Sequence, residues 1–222
     1  MEAVTALGVI LSQHSDDEEN TRHALLDATR DSVSSVRAAA VKHLAADTPA
    51  AEVLSAVRQL LQDSSARVVG AALRTLSVLD PERSTQVLTR FLTMSSAGDG
   101  IAIAALSGLM RTDSVFGRAA ALEKARPGSS ARLRGRALAL LAQNYPEDPV
   151  VEHLLITAAR ERTRALRSSA IRLLGDVGRE AGLRTLESIA SDPLRLDAVE
   201  AGRQAARVRN RLGNPAERGG NK

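Results

Sequence analysis

The sequence predicts an all-α protein, a right-handed α-solenoid of about five and a half helix pairs. The first observation is a repeat, because DSVSSVRAAAVKHL, residues 31–44, returns in altered form four more times. The copies are 32, 33, 32 and 33 residues apart when they are aligned on Val36, Val68, Ile101, Leu133 and Leu166. A fixed period of about 20 to 50 residues is typical of stacked supersecondary units.

The second observation is an apolar skeleton that every copy keeps. Alanine follows the aligned residue after four positions, an aliphatic residue comes next, and leucine comes three positions later. These residues are Ala40, Ala72, Ala105, Ala137 and Ala170, then Val41, Leu73, Leu106, Leu138 and Ile171, then Leu44, Leu76, Leu109, Leu141 and Leu174. The spacing places them on one face of a helix, which we interpret as the second helix of each pair.

A third observation is a shorter apolar segment before each copy, which predicts the first helix of each pair. The earliest runs from Thr21 to about Arg30 and has Leu25 and Leu26 in its apolar stripe. Pro49 and Pro81 open the next two, because proline is favoured at the first position of a helix. The apolar residues of these two helices are Val53, Val57, Leu60 and Leu61, then Val87, Leu88, Phe91 and Leu92.

The remaining helices follow the same pattern until the last. The fourth first helix is expected over residues 114–125, and the fifth and sixth follow the turns after residues 145 and 178. Their inward residues are expected to be Val115, Phe116, Ala119 and Leu122, then Val150, Val151, Leu154, Leu155 and Ala158, then Leu183, Leu186 and Ile189. The final helix is expected from Pro193 to about Leu212. It keeps Leu196, Val199 and Ala205 or Ala206 as apolar residues, and is otherwise polar, as an end repeat requires.

The links and the two ends complete the predicted organisation. Asp31 and Asp63 are expected to be the N-caps of their second helices, and SSAGDG, with two glycines, is expected to be the most flexible link. Residues 1–8 align with a second helix, so the array begins in the middle of a repeat, either as a shortened capping helix or as the continuation of a longer protein. We therefore predict a repeat array over residues 1–212 and a disordered polar tail over residues 213–222.

Composition excludes several classes of site. There is no cysteine, which removes disulfides, thiolate zinc sites and cysteine nucleophiles. The apolar N-terminus carries Glu2 where a secretory signal carries a cation, and no apolar run approaches the roughly 20 residues of a membrane helix, so we expect a cytoplasmic location and no membrane. Charge is uneven: residues 1–100 carry 9 basic and 13 acidic side chains, net −4, and residues 101–222 carry 21 and 13, net +8.

The segments DSVSSVRAAAVKHL and RALRSSAIRLLGDVG resemble HEAT-like, or armadillo-like, helical repeats, which occur widely in bacterial scaffold and regulatory proteins. The resemblance covers nearly the whole chain and implies a fold that binds partners or braces neighbouring domains. A weaker resemblance is carried by EAVTALG, HALLDATRDSVSSVRAAAVKHL and the final LESIASDP. This order is similar to the helical C-terminal region of bacterial gluzincin zinc aminopeptidases. Their HExxH signature is absent, so the resemblance implies only the non-catalytic end of such an enzyme.

No constellation of catalytic residues stands out. His14, His23, His43 and His153 are scattered over different units, and His43 is expected to be a partly buried packing residue. GDVGRE lacks the preceding strand that a nucleotide-binding loop needs and is interpreted as a helix stop. We expect this chain to hold no catalytic residue, no metal and no cofactor, and to be no enzyme by itself.

The arginines offer the sharpest hypothesis about binding. Lys42, Arg74 and Arg172 share a repeat position that points away from the core, and the same position holds Ser107 and Ala139 in the other copies. The basic stripe could be extended by Arg132, Arg136, Arg160, Arg162 and Arg164. Three interpretations are open for these cations. They form a solvated face, they bind an acidic protein surface, or they contact nucleic-acid phosphates. The last is disfavoured because stacking aromatic residues are almost absent.

Arg37, Arg134 and Arg167 have a different expected role. They fall at the edge of the core arc, from which we predict that they reach a carboxylate or carbonyl between repeats. The sequence thus favours a non-catalytic scaffold whose partner contacts the inner wall formed by the second helices. Two alternatives stay open for that partner: a protein, for which an acidic surface is one option, or an upstream domain of the same polypeptide. The residues assigned to this contact are Lys42, Arg74, Arg172, Arg132, Arg136 and Arg164.

Overall fold

A computed structural model describes residues 18–46, 50–94, 96–192 and 194–213, and within these residues it has twelve α-helices that form six pairs. The first helices are α1 (Glu18–Ala28), α3 (Ala51–Gln59), α5 (Pro81–Phe91), α7 (Ser114–Ala125), α9 (Pro149–Ala158) and α11 (Glu180–Ala190). The second helices are α2 (Ser34–His43), α4 (Ala66–Leu79), α6 (Gly100–Thr112), α8 (Ala131–Asn144), α10 (Arg164–Val177) and α12 (Ala198–Gly213). The predicted all-α array of helix pairs is confirmed, with six pairs in the described residues rather than about five and a half.

Within each of two compact units, second helices pack on second helices in chain order. The chain divides into two compact units, residues 1–120 and 121–222. In the first unit α4 packs against both α2 and α6, and in the second unit α10 packs against both α8 and α12. First helices pack on their own partners, as α5 does on α6 and α11 on α12. Each unit is therefore a short stack of hairpins in which neighbours bury one another's apolar faces.

The repeated skeleton is the core of this stack. All five alanines of the skeleton are completely buried, and the aliphatic residues and leucines that follow them are at most 1% exposed. The five aligned residues, Val36, Val68, Ile101, Leu133 and Leu166, occupy the second or third position of their helices. Alanine at the contact lets adjacent second helices approach closely, and this explains why the alanine recurs with the repeat. A buried cross-link adds to the packing in the first unit, where Thr75 Oγ1 donates to the Val41 carbonyl at 2.8 Å.

The inward face predicted for α7 is wrong. Val115 and Phe116 are 78% and 56% exposed, and the buried face is instead formed by Gly117, Ala121 and Ala125. Gly117 lies against the backbone of Leu109 and Met110, so closely that a Cβ there would be 2.7 Å from Met110 Cα. A helix that approaches through its small residues must turn its large apolar side chains away from the contact.

The final helix also differs from the prediction. It starts at Ala198 rather than Pro193, and Leu196 and Val199 are 80% and 70% exposed instead of packing inward. Its buried residues are Ala198, Ala201, Ala205 and Val208. Asp197, the residue just before the helix, accepts hydrogen bonds from Arg167 and Ser168 of α10.

Asp31 and Asp63 are not the N-caps of α2 and α4. Those positions belong to Val33 and Ser65, and neither makes a side-chain cap hydrogen bond. Each aspartate instead folds its link, since Asp31 Oδ1 accepts from Val33 N at 2.7 Å and Asp63 Oδ1 accepts from Ser65 N at 2.8 Å. The link SSAGDG contains Gly98 and Asp99, both with left-handed backbone, with φ of 61° and 57°.

Some predictions fall outside the described residues. These are the half-repeat at residues 1–8, the helix start at Pro49 and the tail after Gly213. No helix among the described residues combines the length and the apolar character needed to span a lipid bilayer. The handedness of the superhelix stays a prediction.

Candidate functional site

An arginine on one second helix reaches across to the link of the next repeat. Arg37, on α2, donates from Nε and Nη2 to the two carboxylate oxygens of Asp63 at 2.7 and 2.9 Å. Its Nη1 donates to the carbonyls of Asp31 and Ser32 in its own link, at 2.8 and 3.0 Å. The guanidinium therefore ties two successive links together. Its hydrogen bonds hold the pKa of the Asp63 carboxyl below its usual value, although partial burial acts in the opposite direction.

The second unit repeats this arrangement twice. Arg134, only 8% exposed, donates to Glu161 in the next link at 2.8 Å and to the carbonyl of Ala125. Arg167 donates to Asp197 in the next link and to the carbonyls of Glu161 and Arg162 in its own, each at 3.0 Å. The predicted structural role of Arg37, Arg134 and Arg167 is confirmed. We call these three residues the arginine ladder. Their guanidinium groups bind other parts of the same chain.

The ladder is interrupted at the same repeat position on α4 and α6, where the residues are Val69 and Ala102. Beside Val69 lies a cavity of about 320 Å³. Its lining is Leu61, Gln62, Asp63, Ser64, Ala66, Val69, Phe91, Met94, Ser96 and Ile101. The sequence does contain a signal for this site, since valine stands where three other copies have arginine. The repeat period alone did not predict it.

The cations predicted to bind a partner lie at the surface. In the first unit Lys42 on α2 and Arg74 on α4 are exposed and sit on helices that pack side by side. In the second unit Arg132 and Arg136 on α8 and Arg164 and Arg172 on α10 are exposed and again lie on adjacent helices. The six residues thus divide between the two units, two in the first and four in the second.

Neutral residues and a neighbouring carboxylate modulate these groups. Ser107 and Ala139, at the position shared with Lys42, are half-buried and uncharged. Asp176 on α10, four residues after Arg172, pairs with Arg207 of α12 at 2.6 Å. Each group therefore places exposed basic side chains on its second helices.

The histidines form no catalytic or metal-binding group among the described residues. His43 is half-buried, and its pKa is lowered first by burial and then by the charge of Lys42. His23 lines a groove of about 430 Å³ between α1 and α3. The other lining residues are Leu26, Asp27, Arg30, Glu52, Ser55, Ala56 and Gln59. In the part of the chain that the structure describes, no three metal-ligating side chains cluster.

Comparison with known proteins identifies the repeats. Residues 21–110 match the family model described as HEAT repeats. A search of curated proteins finds no match. Among solved structures, human deoxyhypusine hydroxylase in complex with glycerol is similar at 15% identity and a TM-score of 0.37, over 94% of this chain and 96% of that one. A similarity this low carries no argument about function.

Proposed function

Residues 21–110 are HEAT repeats, and from that premise we propose that the chain is a non-catalytic, cytoplasmic scaffold module that binds a protein partner of acidic character. The contact lies on the outward faces of the second helices. Lys42 and Arg74 supply it in the first unit, and Arg132, Arg136, Arg164 and Arg172 supply it in the second. Stacked repeats suit this role because equivalent positions on successive helices make an extended surface.

The observation that carries the proposal is the exposure of Lys42 and Arg74 at one recurring position on the adjacent helices α2 and α4, and of Arg172 at the same position on α10. Side chains at the edge of the same helices, Arg37, Arg134 and Arg167, are used internally by the fold. The outward cations are exposed, and exposed charge steers and orients an oppositely charged partner. Loss of such charges reduces the rate of association and its salt dependence more than it affects folding.

A charge-reversal experiment tests the proposal. The triple variant Lys42→Glu, Arg74→Glu, Arg172→Glu is compared with a matched control, Arg83→Glu, Arg90→Glu, Arg184→Glu, which makes the same charge change at exposed positions on first helices. Each protein is tagged, expressed in its native host and recovered with bound partners, and circular dichroism confirms that each is folded.

The proposal predicts a specific pattern of recovery. Partners that copurify with the wild type and with the control variant are lost, or reduced at least about tenfold, with the second-helix variant. Equal recovery by all three folded proteins would remove these residues from the contact.

The resemblance to zinc aminopeptidases remains a hypothesis of a different class. It rests on EAVTALG, HALLDATRDSVSSVRAAAVKHL and LESIASDP, and under it the chain would shape access to a catalytic domain encoded upstream. The DNA sequence immediately before the Met1 codon tests this. An open frame that encodes HExxH would support it, whereas an upstream stop codon with a ribosome-binding site would refute it.

A nucleic-acid contact is the third hypothesis and is favoured only by the exposed arginines of the second unit. It predicts affinity for a DNA duplex that falls steeply with salt, because binding through phosphates releases counterions. Fluorescence anisotropy with a labelled duplex at low salt measures this directly. Absence of binding there would dispose of the hypothesis.

A further inference from the structure

The cavity beside Val69 occupies the place that an arginine head group fills in other repeats. Arg37 and Arg167 each donate to two backbone carbonyls of their own link and to a side chain of the next link. The corresponding carbonyls beside Val69 are those of Asp63 and Ser64, and the next link contributes Ser96. All three residues line the cavity. The ladder position is therefore preserved here as a binding space with its acceptors, while the arginine itself is replaced.

Two backbone acceptors in this space, the carbonyls of Asp63 and Ser64, lack a donor among the described residues, whereas Ser96 Oγ accepts from Ile101 N and the Ser96 carbonyl accepts from Asp99 N. The carbonyls of Asp31, Ser32, Glu161 and Arg162 all accept from a ladder arginine. No described residue donates to the carbonyl of Asp63 or of Ser64. Backbone carbonyls beside an apolar wall are strong acceptors that bind a donor when one can reach them. This difference between copies of the same link points to a donor from outside the chain.

The rest of the lining suits the stem of a long cationic side chain. Val69, Phe91 and Ile101 are 3%, 8% and 6% exposed and form an apolar wall, with Met94 at the more exposed rim. Arginine and lysine bury their methylene stems along such surfaces and keep the charged head at the polar end. The ring of Phe91 offers a face for a guanidinium as well. The lining includes no cation, and its one carboxylate, Asp63, is already paired with Arg37, so the acceptors for a guanidinium are the backbone carbonyls.

We propose that this cavity binds the side chain of an arginine presented by a partner protein, so that the partner completes the arginine ladder of the first unit. The guanidinium donates to the carbonyls of Asp63 and Ser64, and the stem lies against Val69, Phe91 and Ile101. A volume of about 320 Å³ is at the small end of the range for ligand sites, about 300–1,000 Å³, and fits a single side chain.

The proposal is separate from the acidic-partner contact described above. That contact uses exposed cations on the outward faces of second helices, whereas this site uses acceptors in the links. Charge reversal at Lys42, Arg74 and Arg172 leaves the cavity lining unchanged, so either proposal can fail without the other.

Nuclear magnetic resonance titration of the full ¹⁵N-labelled chain tests ligand class without any variant. The probes are N-acetyl-arginine-N-methylamide, its neutral citrulline analogue, the norleucine analogue and agmatine. The arginine amide is expected to cause saturable chemical-shift changes at the amides of Ser64, Ser65, Val69 and Ile101. Its affinity should be millimolar, and the citrulline analogue should bind at least about fivefold more weakly. Equal or tighter binding of the norleucine amide would overturn the proposal, since the site would then be simply apolar. Tighter binding of agmatine than of the arginine amide would overturn the assignment to a protein partner.

A built-in arginine provides the second test. Val69→Arg places a guanidinium in the cavity and is compared with Val78→Arg, which makes the same change at a 46% exposed position of the same helix. Val69→Arg is expected to fold, to melt at or above the temperature of Val78→Arg, and to lose the response to the arginine amide. Failure of Val69→Arg to fold while Val78→Arg folds would contradict the geometry, because arginine would not fit the space. A folded Val69→Arg variant that binds the arginine amide as the wild type does would contradict the location.

Discussion

Arg37 donates to both carboxylate oxygens of Asp63, 26 residues further along the chain, and thereby connects the link of one repeat to the link of the next. The same connection joins Arg134 to Glu161 and Arg167 to Asp197. Arginine suits this role because its planar head group donates to a carboxylate and to carbonyls at once. In a stack whose repeats otherwise touch through apolar ridges, these contacts fix the position of one link relative to the next.

Arg167→Ala is expected to destabilise the protein by about 2–4 kcal/mol, because it leaves the largely buried Asp197 carboxylate without its cation. Chemical denaturation in urea, read by circular dichroism, measures the change. Arg209→Ala is the control, since the side chains of Arg209 and its partner Glu187 are 63% and 42% exposed. The control should cost less than about 1 kcal/mol. A loss of the same size in both variants would argue against a structural role specific to the ladder.

Stability is expected to decline in acid through Asp63 and Asp197. Hydrogen bonds from Arg37 lower the pKa of Asp63. Burial acts to raise the pKa of Asp197, but the hydrogen bonds from Arg167 and Ser168 outweigh it and lower that pKa. Both carboxyls therefore have folded pKa values below the unfolded value of about 3.9. Their contribution to stability is present above that value and is lost as pH falls through the folded pKa.

The double variant Asp63→Asn, Asp197→Asn tests this dependence. Its unfolding free energy should be lower than that of the wild type near pH 7 and should fall less steeply below about pH 4. Urea unfolding at a series of pH values gives both quantities. Parallel curves for the two proteins below pH 4 would show that these carboxyls do not carry the acid sensitivity.

Gly117→Ala should destabilise the protein by about 1–2 kcal/mol net, because the added Cβ would lie 2.7–2.8 Å from backbone atoms of Met110 and Leu109. Gly202→Ala is the contrasting substitution within another helix, where the nearest atom to an added Cβ is 3.7 Å away. It should stabilise by about 0.5–1 kcal/mol through helix propensity. Thermal melts of the two variants should therefore shift in opposite directions, and a gain in stability from Gly117→Ala would disprove the close approach.

Ser130→Ala should cost about 1 kcal/mol, since the Ser130 hydroxyl accepts from Leu133 N at the start of α8. Ser65 holds the same position at α4 but its side chain makes no cap hydrogen bond. Ser65→Ala should consequently change stability by less than about 0.5 kcal/mol. Equal losses measured by urea denaturation would mean that capping does not distinguish the two serines.

Much of the architecture follows from the sequence because the repeated residues are themselves the core. Alanine at positions such as Ala72 and leucine at positions such as Leu76 recur with the period and are buried in every copy. The ladder role of Arg37 also followed from its angular position on the helix. These features depend only on local periodicity and on the assumption that successive copies pack alike.

Other features depend on contacts that a period does not encode. Val115 and Phe116 satisfy a helical apolar stripe, yet Gly117 decides the orientation of α7 because only its bare backbone fits against Leu109 and Met110. The place of Asp63 before a helix predicts an N-cap. In the structure, Arg37 of the preceding repeat donates to both oxygens of the Asp63 carboxylate. The cavity beside Val69 is recognised as a vacant arginine position only by comparison with the contacts that Arg37 makes.

The double-mutant cycle between Arg134 and Glu161 tests the central claim most directly, that side chains of one repeat bind the link of the next. Unfolding free energies of the wild type, Arg134→Ala, Glu161→Ala and the double variant give the coupling between the two residues. The structure, with 2.8 Å between Arg134 Nη2 and Glu161 Oε1, predicts a favourable coupling of about 1–3 kcal/mol. Additive effects within about 0.3 kcal/mol would contradict it.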